Sequence, residues 1–168
     1  MMGLTSQPAN RNFCGNQDPP NFAELRFKEY LDAKRYGYVY LDQSPLMFAA
    51  EFHDHRKRPD FLVNISSIGT IAVDVKDKPL NAIYKNFAID EVEVLRLVAW
   101  QDQFRTPVWF AISSEASDYN TWYFIHLDSI REVGTKRRRK DTGEAFWTIK
   151  ITNCITIGHD DSLHKLVL

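Results

Sequence analysis

The sequence is poor in cysteine and in long apolar runs, and it has almost no net charge. Its two cysteines, Cys14 and Cys154, are too few for a disulfide framework or a cysteine zinc site. Its longest apolar runs, such as residues 107–112, are far shorter than the roughly 20 residues of a membrane-spanning helix. Residues 1–13 contain no apolar core of the kind that a signal peptide has. We therefore expect a cytoplasmic protein that is not bound to a membrane.

The composition is that of a folded domain. Hydrophobic residues make up 44% of the 168 positions, which excludes bulk disorder. Residues 1–18 are polar and rich in Asn, Gln, Ser and Pro, so we predict a flexible arm there and a single domain over 19–168. The sequence has no glycine-rich phosphate loop and no Ser-His-Asp pattern.

The basic residues are concentrated in two short segments, although the net charge is only −1. Local clustering of this kind can make a phosphate-binding surface on a nearly neutral protein. The alternative is that both segments are solvated loops. The longer segment, KRRRK, is predicted to project from a loop or hairpin. The candidate nucleic-acid-binding residues are Arg56, Lys57, Arg58, Lys136, Arg137, Arg138, Arg139 and Lys140.

Helices and strands are predicted to alternate along the chain. The predicted elements are a helix over 21–36, a strand over 38–41, strands over 61–65 and 70–75, a helix over 89–104, a strand over 108–112 and a β-rich remainder. Asn21 can cap the first helix, with Glu24 in the position of a capping-box partner. Residues 44–55 fit a helix or a strand, and we favour a strand. This order predicts a mixed α/β fold with a central sheet flanked by helices.

The strands over 61–65 and 70–75 are joined by a short turn and are predicted to form an antiparallel hairpin, on which two acids and a lysine converge. Asp60 opens its first strand, and Asp74 and Lys76, two residues apart near the end of its second strand, share a face. Two carboxylates and the Val75 carbonyl suit Mg²⁺, with Mn²⁺ as a substitute, because hard cations take oxygen ligands. Lys76 would orient the attacking water, help to deprotonate it or stabilise charge on a phosphate. The alternative is a solvated strand face with a surface ion pair.

These residues resemble a known signature. The segments 58–60 (RPD) and 74–76 (DVK), with thirteen residues between the two aspartates, resemble the PD-(D/E)xK nuclease motif. The predicted helix and strand over 21–41 are similar to the first two elements of the Holliday-junction-resolvase-like branch of that superfamily. The segment 101–112 is similar to its second core helix and fourth strand. The motif's second acid is Asp here rather than the commoner Glu, which the signature allows.

The resemblance implies a restriction-endonuclease-like αβββαβ core over about 21–113, with a β-rich extension over 114–168. It implies Mg²⁺-dependent cleavage of DNA, less often of RNA, and in many such enzymes a homodimer that cuts two strands. A glutamate of the first helix often joins the metal site in these enzymes, and Glu24 is the matching position. Glu51 could supply that acid instead. Gln101 is a candidate contact to nucleic acid.

Two other functions remain open from the sequence. The first is a non-catalytic nucleic-acid-binding or assembly module on the same fold. The second is a protein-interaction domain unrelated to nucleases that uses its aromatic surface.

Overall fold

The computed structural model describes residues 21–43 and 57–167. The predicted arm over 1–18, the segment 44–55, and the candidate residues Glu51 and Arg56 lie outside these ranges. The α-helices and strands are α1 (Phe22–Ala33), β1 (Gly37–Tyr40), β2 (Phe61–Ile65), β3 (Gly69–Asp77), β4 (Asn86–Asp90), α2 (Glu91–Phe104), β5 (Val108–Ser113), β6 (Thr121–His126), α3 (Ser129–Val133), β7 (Thr135–Arg138), β8 (Ala145–Lys150) and β9 (Ile155–Gly158). Short 3₁₀ helices lie at Glu115–Ser117, Ile151–Asn153 and Leu163–Val167.

A mixed six-stranded sheet forms the centre of the fold, in the order β1-β2-β3-β5-β6-β9. Only β3 and β5 are parallel among these neighbours, and the other pairs are antiparallel. The antiparallel pairing of β2 with β3 confirms the predicted hairpin. The other three strands form a separate sheet in the order β4-β8-β7.

The strand β3 separates two apolar layers. Ile71, Val73 and Val75 belong to a core cluster that contains the buried face of α1, whereas Ala72 belongs to the cluster around α2. Because side chains alternate along a strand, Asp74 and Lys76 share the face of Ala72. The hairpin therefore aims its polar side chains toward the layer of α2.

Two element boundaries differ from the sequence prediction by more than one or two residues or change type, and one predicted hairpin is confirmed. Helix α1 ends at Ala33 rather than at 36, since Arg35 has a left-handed φ of 57°. Residues 89 and 90, predicted as the start of the second helix, belong instead to β4, where Ile89 pairs with Trp147 of β8. The segment 136–140 starts on β7 and continues into the turn before β8, so it lies on a hairpin, as predicted.

None of the helices in the described part of the chain is long and apolar enough to cross a membrane.

Candidate active site

The β2–β3 hairpin places Asp60 across from Asp74. The backbone N–H of Asp60 donates to the Val73 carbonyl over 3.0 Å, which continues the ladder one residue beyond the Phe61–Val73 pair. The Asp60 carboxylate accepts a hydrogen bond of 2.7 Å from the backbone N–H of Val75. Asp60 is only 5% exposed, so this bond fixes a buried carboxylate between the strands.

A fully buried carboxylate lies at the centre of the cluster. The two side-chain oxygens of Asp74 are each 2.8 Å from an ammonium nitrogen, one of Lys57 and one of Lys76. Both contacts are ion pairs, so both lysines hold Asp74 by charge. Burial of an ionised carboxylate is costly without such cations.

Both lysines also contact Glu93 in the first turn of α2. One carboxylate oxygen of Glu93 is 2.7 Å from the Lys76 nitrogen and 3.2 Å from that of Lys57. Glu93 was not predicted as a member of this cluster. The available signal was an acid in the first turn of a helix, a position that the helix dipole favours for any carboxylate.

The cluster moves pKa values in opposite directions. Burial, then the adjacent charge of Asp74, raises the pKa of Asp60 well above its ordinary value. Burial alone would raise the pKa of Glu93, but Lys76 and Lys57 outweigh it and lower that pKa to about 2. Burial would lower the pKa of Lys76, but Asp74 and Glu93 outweigh it and raise that pKa. Lys76 therefore stays protonated at neutral pH, whereas Asp60 holds its proton unusually well.

Glu24 lies on α1, in the layer on the other side of the sheet. Its carboxylate oxygens accept hydrogen bonds of 2.7 Å from the Tyr40 hydroxyl and from the side-chain amide of Asn21. The negative charge of Glu24 also helps to raise the pKa of Asp60, so Glu24 lies close enough to influence that carboxylate.

The shorter basic segment splits between two environments. Lys57 points into the cluster, where its ammonium contacts Asp74 and Glu93, so its charge is not free to bind nucleic acid as the sequence predicted. Burial lowers the pKa of Arg58, which is next along the chain.

The longer basic segment is partly paired with acids at the start of α2. Lys136 forms an ion pair with Glu91, and Arg139 lies 2.7 Å from Asp90. The guanidinium of Arg138 donates to the Gly143 carbonyl within the hairpin turn. All five cations of the run are exposed, so the β7–β8 hairpin presents a basic surface. Its ion pairs with Glu91 and Asp90 hold this surface at the start of α2, the helix that carries Glu93.

Gln101 is not part of the cluster. Its side chain accepts a hydrogen bond of 2.8 Å from the Val108 N–H and donates one of 2.8 Å to Asp128. It lies eight residues after Glu93 on α2, which is about 12 Å along a helix axis. These bonds tie the end of α2 to the start of β5.

The aspartates suit a hard divalent cation by donor chemistry. Asp74 is buried with both oxygens in ion pairs, and Asp60 uses one oxygen for Val75. Carboxylate oxygens are what Mg²⁺ and Mn²⁺ bind. The described residues contain no group of three acidic, histidine or cysteine side chains arranged as a metal site. Lys57 contacts the same carboxylate that a cation would need.

Comparison with solved structures shows the fold. Hjc, a Holliday junction resolvase from the archaeal hyperthermophile Archaeoglobus fulgidus, matches with a TM-score of 0.50 and 13% sequence identity. The match covers 76% of this chain and 85% of that chain. The chain has a nuclease-like fold. The predicted mixed α/β class, with a mixed central sheet, is thereby confirmed. No protein-family model and no curated protein matches the sequence.

Proposed function

We propose that this protein is a metal-dependent nuclease that hydrolyses phosphodiester bonds of DNA, with RNA as a less favoured substrate. One observation carries the proposal: Asp60, Asp74 and Lys76 converge on one face of a hairpin in a fold similar to that of a Holliday junction resolvase. A buried carboxylate held by two lysines is costly for a purely structural strand. Such a cost is common where charge is needed for chemistry.

In this proposal Asp60 and Asp74 hold Mg²⁺, or Mn²⁺, with the Val75 carbonyl as a third oxygen ligand. The bound ion would polarise a phosphoryl oxygen and lower the pKa of a water. Lys76 remains an ammonium, so it donates hydrogen bonds to the attacking water or to the developing charge on the phosphate and is not the base. Glu93 holds Lys76 in that position. Glu24 completes the acidic surroundings from α1, and Glu51 stays the alternative acid.

The test is cleavage by an Asp74→Asn variant. We expect wild-type protein to cut duplex, flap or four-way-junction DNA in Mg²⁺ or Mn²⁺, and the variant to lose roughly a hundredfold or more of that rate. Asp102→Asn, which changes an exposed acid in the last turns of α2, serves as the control. Circular dichroism checks that both variants are folded. Cleavage by Asp74→Asn at the wild-type rate would contradict the proposal.

DNA is the proposed partner, and the basic hairpin is the proposed contact to its backbone. Exposed cations near a catalytic centre bind phosphates without reading sequence. A homodimer, as the resemblance implies, would allow both strands to be cut. Analytical ultracentrifugation with and without DNA tests that part separately.

The contact between Lys57 and Asp74 favours a second candidate, a non-catalytic nucleic-acid-binding module on the same fold. In that case Lys57 would neutralise Asp74 permanently. A Mn²⁺ titration decides between the two: binding that depends on Asp60 and Asp74 supports the nuclease, and its absence supports the binding module.

A further inference from the structure

A groove of about 520 Å³ lies on the three-stranded sheet, and none of the residues that line it belongs to the Asp60–Asp74 cluster. Its floor is a row of small side chains across the sheet, Ala88 of β4, Thr148 of β8 and Thr135 of β7. The flanking residues Phe87 and Ile149 are buried in the core around α2. Because side chains alternate along strands, the groove occupies the face that points away from that core.

The walls of the groove carry aromatic and cationic side chains. Tyr84, which is 71% exposed, and Phe146 both line it, and the cations are Arg137 and Lys150. No acidic residue lines it among the described residues, and neither Arg137 nor Lys150 forms an ion pair within them. The groove is therefore positively charged and has an exposed ring at its edge.

Hydrogen bonds within its own loop fix the backbone that carries the exposed tyrosine. The side-chain carbonyl of Asn81 accepts hydrogen bonds from the backbone N–H groups of Ile83 and Tyr84, over 3.0 and 2.8 Å. The Lys85 N–H donates to the Asn81 carbonyl over 2.9 Å, which closes the turn. A ring on a fixed backbone binds a flat ligand at a lower entropic cost than a ring on a mobile loop.

We propose that this groove binds unpaired nucleotides of a nucleic-acid strand; this rests on the proposed nuclease function and assigns part of its substrate. Bases stack on exposed aromatic rings, and cations beside the rings pair with the phosphates. A base inside a duplex has both faces covered by neighbouring bases, so only an unpaired base can stack on Tyr84. The volume suits one small ligand unit rather than a protein surface.

The groove is close to the candidate active site along the chain. β4 runs directly into α2, and Ala88 of the groove floor precedes Glu93 of the cluster by five residues. Two strand residues and one helical turn span at most about 12 Å. A substrate with an unpaired segment next to its cleavage point could therefore occupy both.

The test is binding of fluorescein-labelled oligonucleotides in EDTA, followed by anisotropy, so that no cleavage occurs. The probes are a single strand of about 15 thymidines, near the upper site size of single-strand-binding domains, and a duplex of the same length. We expect Tyr84→Ala to weaken single-strand binding about tenfold, with less than a twofold effect on the duplex. Tyr84→Trp should restore binding, because it keeps an aromatic face.

Ile83→Ala is the matched control, since Ile83 is an exposed neighbour in the same turn and does not line the groove. No single-strand binding by wild-type protein, no effect of Tyr84→Ala, or equal weakening of both probes would each overturn the groove proposal. This result is independent of cleavage. Tyr84-dependent binding without any nuclease activity would contradict the proposed function alone, and Asp74-dependent cleavage with an unaffected Tyr84→Ala variant would contradict the groove alone.

Discussion

Individual carboxylates in the candidate active site have opposite protonation behaviour. Asp60 is buried against Asp74 and has a raised pKa, whereas Glu93 is surrounded by the ammonium groups of Lys57 and Lys76 and has a pKa of about 2. An environment that separates the pKa values of neighbouring acids is typical of catalytic sites, although ion-pair networks also produce it. The cluster therefore has measurable consequences for stability as well as for catalysis.

Glu93 makes the protein lose stability in acid. Its folded pKa of about 2 lies below the ordinary 4.5, so its contribution is present above about pH 4.5 and is lost as the pH falls toward 2. Asp60, with a raised pKa, changes stability in the opposite direction. We expect Glu93→Gln to lower the free energy of unfolding at pH 6 and to reduce its further loss at pH 3, measured by urea denaturation. Glu29→Gln, an exposed change on α1, is the control. If Glu93→Gln lost as much unfolding free energy between pH 6 and pH 3 as wild-type protein does, this account would be contradicted.

Lys57 competes with divalent cations for Asp74, if that carboxylate is a metal ligand. Its ammonium lies 2.8 Å from Asp74, and both cations cannot hold the same oxygen. We expect Lys57→Met to tighten Mn²⁺ binding several-fold, which follows from removal of a competing charge. The free-Mn²⁺ signal in electron paramagnetic resonance measures the affinity. Lys85→Met, in the turn before β4, is the control and should leave it unchanged. Unchanged or weaker Mn²⁺ binding by Lys57→Met would show that Lys57 is a structural counter-ion.

Whole elements of the fold differ in how far the sequence predicts them. The β2–β3 hairpin joins segments only a short turn apart, so turn and strand signals were sufficient to pair Asp60 with Asp74. The strand β4 was missed because its partner β8 lies about sixty residues later, where Ala88 meets Thr148. Local patterns carry no information on such a partner, and the last two residues of β4 were assigned to the helical spacing of α2.

The same distinction holds within the candidate site. Strand alternation was sufficient to place Asp74 and Lys76 on one face. Glu93 and Lys57 enter only through the packing of α2 and of residues before β2 against that face. Gln101 was a plausible polar contact by its residue type, but the start of β5 uses its side chain. Position in the sequence could not distinguish these cases.

Helix α1 has an N-terminal cap that the sequence predicted. The Asn21 side chain accepts a 2.9 Å hydrogen bond from the Glu24 backbone N–H, and its amide donates to the Glu24 carboxylate. The expected return bond from Glu24 to the backbone of Asn21 is replaced by this side-chain pair. The cap therefore also orients a candidate site residue.

Loss of this cap should destabilise the protein modestly. We expect Asn21→Ala to cost about 1 kcal/mol of unfolding free energy, the usual value for an N-cap, and Asn21→Ser to retain most of the stability, because its hydroxyl can accept from the Glu24 N–H without adding a charge beside the Glu24 carboxylate. Urea denaturation at neutral pH measures both. A stability of Asn21→Ala equal to that of wild-type protein would show that the cap contributes nothing to folding.

Charge is distributed unevenly over the molecule as a whole. The net charge is −1, yet the β7–β8 hairpin carries five consecutive cations on an exposed strand and turn. Lys136 and Arg139 are engaged by Glu91 and Asp90 of the adjoining strand and helix. These ion pairs hold the hairpin against the start of α2, while Arg137, Arg138 and Lys140 have no ion pair with an acid among the described residues. Arg137 lines the groove on the three-stranded sheet, which leaves Arg138 and Lys140 for the duplex backbone. The proposed DNA contact should therefore depend most on those two cations.

That expectation can be measured through the salt dependence of binding. Each phosphate neutralised by a cation contributes about 0.9 to the slope of log affinity against log salt for duplex DNA. A double variant, Arg138→Ala with Lys140→Ala, should therefore lower the slope by about 1.8 when both residues bind phosphates. The measurement uses the Asp74→Asn variant background, so that DNA stays intact in the presence of metal. The control is the double variant Lys28→Ala with Lys165→Ala. Both lysines are already paired with acids four residues away, so we expect this variant to leave the slope unchanged. A slope unaffected by the hairpin variant, or lowered equally by the control, would place the DNA contact on another surface.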